Sequence, residues 1–288
     1  MEFMSTEWPA PAKLNLFLHV VGRRADGFHL LQTVFQFIEY GDTLAFSSHD
    51  RGLIERVNDL PGVAPDSDLT VRAAKLLRAA SGVNHGVAIT IRKRLPMGGG
   101  LGGGSSDAAT TLVALNHLWD LNWPVSRLAA LGLQLGADVP VFLHGVAAWG
   151  EGVGEQLTPI ELPEPWYVVV TPPCQVPTKE IFSDSDLTRD CSPIRIRNFL
   201  SGDGVNVCEP VVRKRYPLVA AALDWLAQYA PARMSGTGAS VFAAFESEHG
   251  ARAVLAQLPV DWRGFIARGC NRSPLLARAA ATASSTMK

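Results

Sequence analysis

Residues Pro96–Ala108 read PMGGGLGGGSSDA, and six of the chain's 26 glycines fall in the seven positions Gly98–Gly104. The tract follows a strand-like run, Val87–Ile91. It precedes a helix-like run, Ser105–Trp119, whose first turn carries hydroxyl and acidic side chains. Glycine lets a backbone approach a ligand closely and adopt positive φ. A helix N-terminus adds free N–H groups and a partial positive charge. Together these favour a bound phosphate. A flexible linker is the bland alternative, but a stretch this poor in polar residues between two regular elements would be costly to order without a purpose.

Three phosphate-binding schemes compete for the tract. A Walker loop needs a lysine after its glycines, and none follows here. A dinucleotide fingerprint can be threaded onto Gly98, Gly100 and Gly103, with Asp120 at the distance of a ribose-binding acid. That acid falls at the end of the predicted helix, where the fingerprint requires a second strand. The third scheme rests on two further segments, found by working outward from the tract.

Toward the N-terminus, Trp8–Val21 alternates strictly. Ala12, Leu14, Leu16, Leu18 and Val20 share one face; Lys13, Asn15, Phe17 and His19 share the other. Period two predicts a strand with one face in a core. GRRADG at Gly22–Gly27 is a turn signal, and His29–Ile38 and Thr43–Ser47 read as extended. Asp68–Ala80 has helical apolar spacing, with Ser67 or Asp68 to cap it and Gly82 to end it. Ser126–Leu135 reads as a helix ending at Gly136. Prolines 159, 163 and 165 mark a linker. Beyond it come a strand at Trp166–Thr171, a Pro-rich loop at Pro172–Asp190 and a helical stretch at Cys208–Tyr229 with a break near Pro217. A glycine turn at Arg233–Ser240, a strand at Val241–Phe245, a helix at Ser247–Leu258 and a strand at Gly264–Arg268 follow, and Ala279–Lys288 reads as a frayed tail. Interleaved strands and helices give a mixed α/β or α+β class.

Bulk composition narrows the function classes. The chain has 288 residues, 47% hydrophobic and 18% charged, with 26 basic against 27 acidic side chains. That profile is globular and core-rich, and it disfavours a strongly basic nucleic-acid binder. The longest run without Asp, Glu, Lys or Arg is Pro165–Thr178, 14 residues with four prolines. A membrane-spanning helix needs about 20 apolar residues. The first residues carry acids and no apolar run, so no secretory signal is expected; Met4 is a second candidate start after Met1. The four cysteines have no CxxC spacing and the seven histidines no HExxH pattern, so a zinc site or redox pair is not expected. Reduced thiols fit a cytoplasmic protein.

The glycine tract, PAKLNLFL at Pro11–Leu18 and MSGTGASV at Met234–Val241 together resemble the three ordered motifs of the GHMP kinase superfamily, the galactokinase, homoserine, mevalonate and phosphomevalonate kinases. RRADGFH at Arg23–His29, GADVP at Gly136–Pro140 and RGCNRSPL at Arg268–Leu275 are similar to the branch that phosphorylates the 2-hydroxyl of 4-diphosphocytidyl-2-C-methyl-D-erythritol. The resemblance runs from about Trp8 to Leu276. It implies an α+β fold of two domains, residues 1–163 and 164–288. The first is an ATP-binding domain of the ribosomal-protein domain-2 type, the second is ferredoxin-like, and the active site lies in the cleft between them. It implies ATP as phosphoryl donor and a small-molecule acceptor. Magnesium, with no protein ligand assigned, is expected on chemical grounds because ATP phosphates need charge neutralisation. The balanced charge and short apolar runs predict no nucleic acid or membrane partner, and a monomer or weak homodimer is expected. The resemblance places the reaction in the non-mevalonate route to isopentenyl diphosphate.

Residue roles follow from the same resemblance. Pro96, Met97, Gly98, Gly99, Gly100, Leu101, Gly102, Gly103, Gly104, Ser105 and Ser106 would bind ATP. Asp138 matches the general base and Lys13 the lysine that orients the acceptor hydroxyl; alone, Asp138 would read as a helix cap and Lys13 as a solvated strand residue. Asn15, Phe28, His29, Thr178, Phe182, Gly236, Thr237 and Gly238 would contact the acceptor. His29 matches a histidine that reads the cytosine edge, and Phe28 and Phe182 match the aromatics that stack on it. Phe28 stands where tyrosine is common, so one hydroxyl is missing. A homoserine- or mevalonate-type kinase and a non-catalytic nucleotide-binding module are the rival readings.

Overall fold

A computed structural model describes residues 6–50 and 52–286, with side chains over 7–50 and 52–282. The choice between Met1 and Met4 lies outside the described residues.

Two long antiparallel strands open the chain, β1 (Thr6–Arg23) and β2 (His29–His49), paired from Thr6↔Phe46 to Arg23↔His29. The two extended runs expected in β2 are one strand. Gly41 lets the ladder continue: a Cβ there would lie 2.2 Å from the Ala10 carbonyl, so only glycine permits this close pairing. β1 alternates as expected, but both of its faces are buried, which corrects the one-sided reading. Ala12 and Leu14 enter one core, while Lys13, Asn15 and Phe17 on the other face are equally covered. Phe17 packs in a side cluster with Trp149 and Leu162, and Lys13 donates its backbone N–H to the Leu101 carbonyl, 3.1 Å away. The second face is covered by chain from more than 80 residues away, which alternation cannot reveal.

β3 (Ile54–Arg56) and β4 (Gly86–Arg92) extend this sheet beyond β2; β5 (Ala148–Glu151) pairs with β2, and β6 (Gln156–Pro159) with β5. Four helices cover the sheet: α1 (Leu69–Ser81), α2 (Gly103–Leu118), α3 (Val125–Gly132) and α4 (Val139–His144). α1 starts as predicted, with the Asp68 side chain accepting from the Thr70 N–H, and stops at left-handed Gly82. Leu77, Leu112, Leu115, Phe37 and Phe142 are buried in the core between helices and sheet. Burying each such side chain contributes about 1.5–3 kcal/mol. α2 begins at Gly103, two residues before the predicted start, because Gly102 in the left-handed region (φ 75°) caps it. Asp120 stands in the turn after α2 with φ 51°, so no second strand presents it as a dinucleotide fold would.

The later half forms a second layer around β7 (Trp166–Thr171), β8 (Ala232–Met234), β9 (Val241–Phe245) and β10 (Arg263–Cys270). Their order is β10-β7-β9-β8, all antiparallel. With α7 (Glu209–Arg215), α8 (Pro217–Leu226) and α9 (Glu248–Leu255) this is the β-α-β-β-α-β arrangement of ferredoxin-like domains. α7 and α8 break at Pro217, as expected. The predicted Pro-rich loop carries a short helix, α5 (Thr178–Ser183), and α6 (Ile196–Leu200) follows it. β10 joins the halves, pairing with β7 and, through Gly269↔Ile38 and Cys270↔Phe37, with β2. The expected frayed tail is corrected: α10 (Pro274–Thr286) is helical, an Ala-rich run anchored on the first core by Leu275 and Ala279. Residues 287–288 of that expectation lie outside the described residues.

Candidate active site

A cleft of about 1190 Å³ opens between the two layers, lined by the glycine tract, the Lys13 face of β1, Asp138, and Thr178, Phe182, Arg189 and Thr237 from the later half. Single-ligand pockets run to roughly 300–1,000 Å³, so this one has room for a donor and an acceptor together.

The glycine tract winds through alternate left-handed residues, Gly98 (φ 68°), Gly100 (φ 75°) and Gly102 (φ 75°). The turn at Ser235–Gly238 lies directly against it. Ser235 Oγ donates to the Gly100 carbonyl (2.9 Å), and Ser240 N–H donates to the Gly99 carbonyl (3.1 Å). A Cβ on Gly100 would sit 2.2 Å from the Ser235 carbonyl oxygen. Some of the tract's glycines therefore serve chain-to-chain contact, and others leave backbone facing the cleft. At the start of α2 the N–H groups of Gly103, Gly104 and Ser105 have no carbonyl a turn behind them, while Ser106 N–H bonds the Gly102 carbonyl at 2.8 Å. Those three donors, set at a positive helix end, suit phosphate oxygens.

Lys13 and Asp138 meet, Nζ to Oδ2, at 3.2 Å. The Lys13 side chain is 3% exposed and that of Asp138 34%. Nζ also donates to the Gly100 carbonyl at 3.2 Å and to Asn15 Oδ1. Asn15 is pinned in turn: its N–H donates to Ser235 Oγ (3.1 Å) and its Nδ2 to Thr33 Oγ1 (2.9 Å). Asp138 precedes α4, yet its side chain makes no capping bond. It turns to Lys13 instead, so its position is not explained by a cap. The arrangement puts one carboxylate, open to the cleft, beside a held ammonium and within the span of the glycine tract.

The acceptor end gathers most of the residues expected there. His29 stacks on Phe182, ring centroids 5.1 Å apart at 25°. Phe28 lines the cleft with 60% of its surface exposed. Thr178 and Thr237 bond through their hydroxyls at 3.0 Å. Two expectations are corrected. Ser106 is fully buried and does not line the cleft, because α2 is buried from Ser106 through Leu112. Gly238 lines no part of it either: a Cβ there would meet Met234 and Val176.

Sequence reading missed a charged group beneath the tract. Lys93 Nζ contacts Asp42 Oδ2 at 2.5 Å and Asp107 Oδ2 at 2.9 Å. Asp42 is also held by the Arg94 and Leu95 N–H groups, at 2.6 and 2.9 Å. Burial pushes the Asp107 carboxyl up to about 7, against the opposing pull of Lys93. Burial works to lower the Lys93 ammonium, but Asp107 and Asp42 outweigh it and raise it. One ammonium cannot neutralise two buried carboxylates. Asp42 accepts from two backbone donors, and Asp107 is the carboxyl whose pKa burial raises. Arg56 pairs with Asp68 at 2.6 Å and donates to the Val63 carbonyl, fixing the loop whose Leu60 and Val63 line the cleft beside Leu69 and Met97. Asp68 reads locally as a cap and Asp107 as part of an acidic first turn, but nothing local pairs them with Arg56 and Lys93.

The four cysteines are free, and burial pushes the Cys208 and Cys270 thiols up to about 12. No helix among the described residues is long and apolar enough to cross a membrane.

The profile of the GHMP kinases N terminal domain matches residues 68–146 and that of the GHMP kinases C terminal matches residues 189–262. The chain belongs to the GHMP kinase family and is an ATP-dependent phosphotransferase. Within that family, relatives 54–62% identical over most of the chain are 4-diphosphocytidyl-2-C-methyl-D-erythritol kinases. One from Nitrosococcus oceani is 62% identical over 93% of this chain and 96% of its own. A crystal structure of 4-(cytidine 5'-diphospho)-2C-methyl-D-erythritol kinase superposes with a TM-score of 0.80 at 33% identity, covering 92% of this chain and 99% of that one. The mevalonate kinase of Methanococcus jannaschii superposes with a TM-score of 0.68 over 94% and 99% of the two chains, but at 16% identity it shares the fold alone.

Proposed function

We propose that the chain transfers the γ-phosphoryl group of ATP to the 2-hydroxyl of 4-diphosphocytidyl-2-C-methyl-D-erythritol, giving the 2-phosphate and ADP on the non-mevalonate route to isopentenyl diphosphate. The observation that carries this is the Lys13–Asp138 pair, 3.2 Å apart, facing the glycine tract in a cleft that also holds the stacked His29–Phe182 pair.

The chain's own residues supply positioning and charge, which is most of what phosphoryl transfer needs. The N–H groups of Gly103, Gly104 and Ser105 hold phosphate oxygens. Leu60, Val63, Leu69 and Met97 offer an apolar wall for the purine. Asp138 Oδ takes the acceptor's hydroxyl proton as the oxygen attacks, and Lys13, fixed by Asn15 and the Gly100 carbonyl, orients that oxygen and offsets its developing charge. No group of three His, Cys, Asp or Glu among the described residues could hold a metal ion. Magnesium bound with the ATP phosphates would neutralise their charge.

The cytidine end supports this acceptor over homoserine or mevalonate, which have no base to stack. Lys13 and Asp138 in contact count against a non-catalytic module. We divide the chain at 163/164, with α10 packing back across that division. Four unpaired thiols support a cytoplasmic setting. A near-zero net charge supports a small-molecule enzyme without nucleic acid partners and permits self-association without requiring it, so we keep a monomer or weak homodimer as the expectation.

The test measures ADP release with the cytidine acceptor, homoserine and mevalonate in parallel. Turnover with the cytidine compound alone is expected. Turnover with either simple alcohol but not with it would overturn the proposal.

A further inference from the structure

We propose that Arg189 is a positioning residue that fixes the tautomer of His29 and so sets which pyrimidine the cleft accepts. The inference rests on the cytidine-bearing acceptor proposed above.

Arg189 follows α5 in sequence and lies 160 residues from His29. Its guanidinium makes four bonds. Nη2 donates to the Phe182 carbonyl (3.0 Å) and the Asp184 carbonyl (2.5 Å), Nη1 to the Leu187 carbonyl (3.0 Å), and Nε to His29 Nε2 (3.2 Å). One side chain thus ties both members of the stacked pair, through the backbone of Phe182 and the ring of His29. The three carbonyl bonds leave the guanidinium no freedom to turn away.

A guanidinium has only donors and does not lose its proton in proteins. Nε2 of His29 must therefore offer a lone pair. The neutral ring then carries its proton on Nδ1. Nδ1 has no protein partner among the described residues and is the nitrogen left for a ligand. Burial, then Arg189, then Arg23 lower the His29 pKa, so the ring stays neutral. Asp26 and Lys179 are the other charged groups of the adjoining turn and of α5 that line the cleft here.

A neutral ring with one fixed donor discriminates between bases. Cytosine offers a lone pair at N3 and at O2. Uracil carries a hydrogen on N3, which would face the Nδ1–H donor to donor. A mismatched buried polar contact of this kind costs roughly tenfold to a hundredfold in affinity. If Nε2–H could form instead, the ring would present a lone pair and that discrimination would weaken.

The test starts with the tautomer in histidine-labelled protein, read by long-range ¹H–¹⁵N NMR with His29→Gln to assign the signal. The Nδ1–H form is expected in the wild type. In Arg189→Gln a mixture with Nε2–H and a raised His29 pKa are expected. The ratio of kcat/KM for the cytidine acceptor over its uridine counterpart should fall at least about tenfold, mostly through KM. Arg189→Lys keeps a charged donor and should retain the Nδ1–H form, whereas Arg189→Met has no donor and carries the comparison if Arg189→Gln does not fold. An Nε2–H tautomer in the wild type, or an unchanged tautomer and base ratio in Arg189→Gln or Arg189→Met, overturns the proposal. The NMR reading needs no substrate. A wild type that ignores both nucleotides would refute the acceptor, and the tautomer would still be decided.

Discussion

Gly100→Ala tests why the tract is glycine at a position where backbone meets backbone. Gly100 has φ +75°, and a Cβ on it would lie 2.2 Å from the Ser235 carbonyl oxygen and 2.9 Å from that of Gly238. Both are main-chain atoms of the abutting turn, so relief requires moving one loop off the other. The left-handed backbone alone costs roughly 1–2 kcal/mol for a non-glycine residue. Gly98 is the control: its φ is +68°, and a Cβ there meets nothing within 4 Å. Gly98→Ala should therefore bear only the backbone cost. Gly100→Ala should exceed it by about 1–3 kcal/mol, the usual cost of overpacking. In a protein of this size each kcal/mol moves Tm by roughly 2–4 °C. Thermal melts of both variants and KM for ATP are the assay. Gly100→Ala should melt lower, and its KM should rise more, because the shifted Gly100 carbonyl also releases Lys13 Nζ. Equal melting and equal KM for the two variants would refute the close-approach reasoning.

Ser235→Ala removes a fully buried hydroxyl that serves Asn15 N–H and the Gly100 carbonyl. Leaving both unpaired should cost about 1–3 kcal/mol and raise KM for both substrates, read by urea unfolding and steady-state kinetics. Asp107 predicts a pH dependence of stability. Its carboxyl sits near about 7 in the fold, above the ordinary aspartate value, so the folded chain holds that proton more tightly than the unfolded one. Its contribution is therefore most favourable at low pH and is lost as pH rises through about 7, by at most about 4 kcal/mol. Asp107→Asn should flatten the difference between urea midpoints measured near about pH 5 and about pH 8; an unchanged difference would show that Asp107 is not its source.

Much of the site was legible in local sequence because its parts are contiguous. The glycine tract, Lys13 with Asn15, and the Asp138 turn each carry their signal within a few residues. What stayed hidden depends on distance along the chain. Lys93 reaches Asp42 across 51 residues, and Arg189 reaches His29 across 160, with nothing local to pair them. Phase was the second difficulty. α2 starts at Gly103, preceded by left-handed Gly102, and Ser106 falls within its buried stretch. The two-sided burial of β1 was hidden for the first reason, since its covering comes from the glycine tract and the later half. The helical end of the chain was misread because an Ala-rich run looks like a tail until Leu275 is seen in the core.

The base assignment is tested most directly by Asp138→Asn in a single-turnover assay with ATP and the cytidine acceptor. The amide keeps the shape of the side chain, and a group 34% exposed should alter the fold little. Losing a general base costs roughly 10²–10⁴ in rate, about 3–5 kcal/mol of barrier. The phosphoryl-transfer rate should fall by that factor while Tm and ATP affinity stay near wild type. A rate within a few-fold of wild type would contradict Asp138 as the proton acceptor.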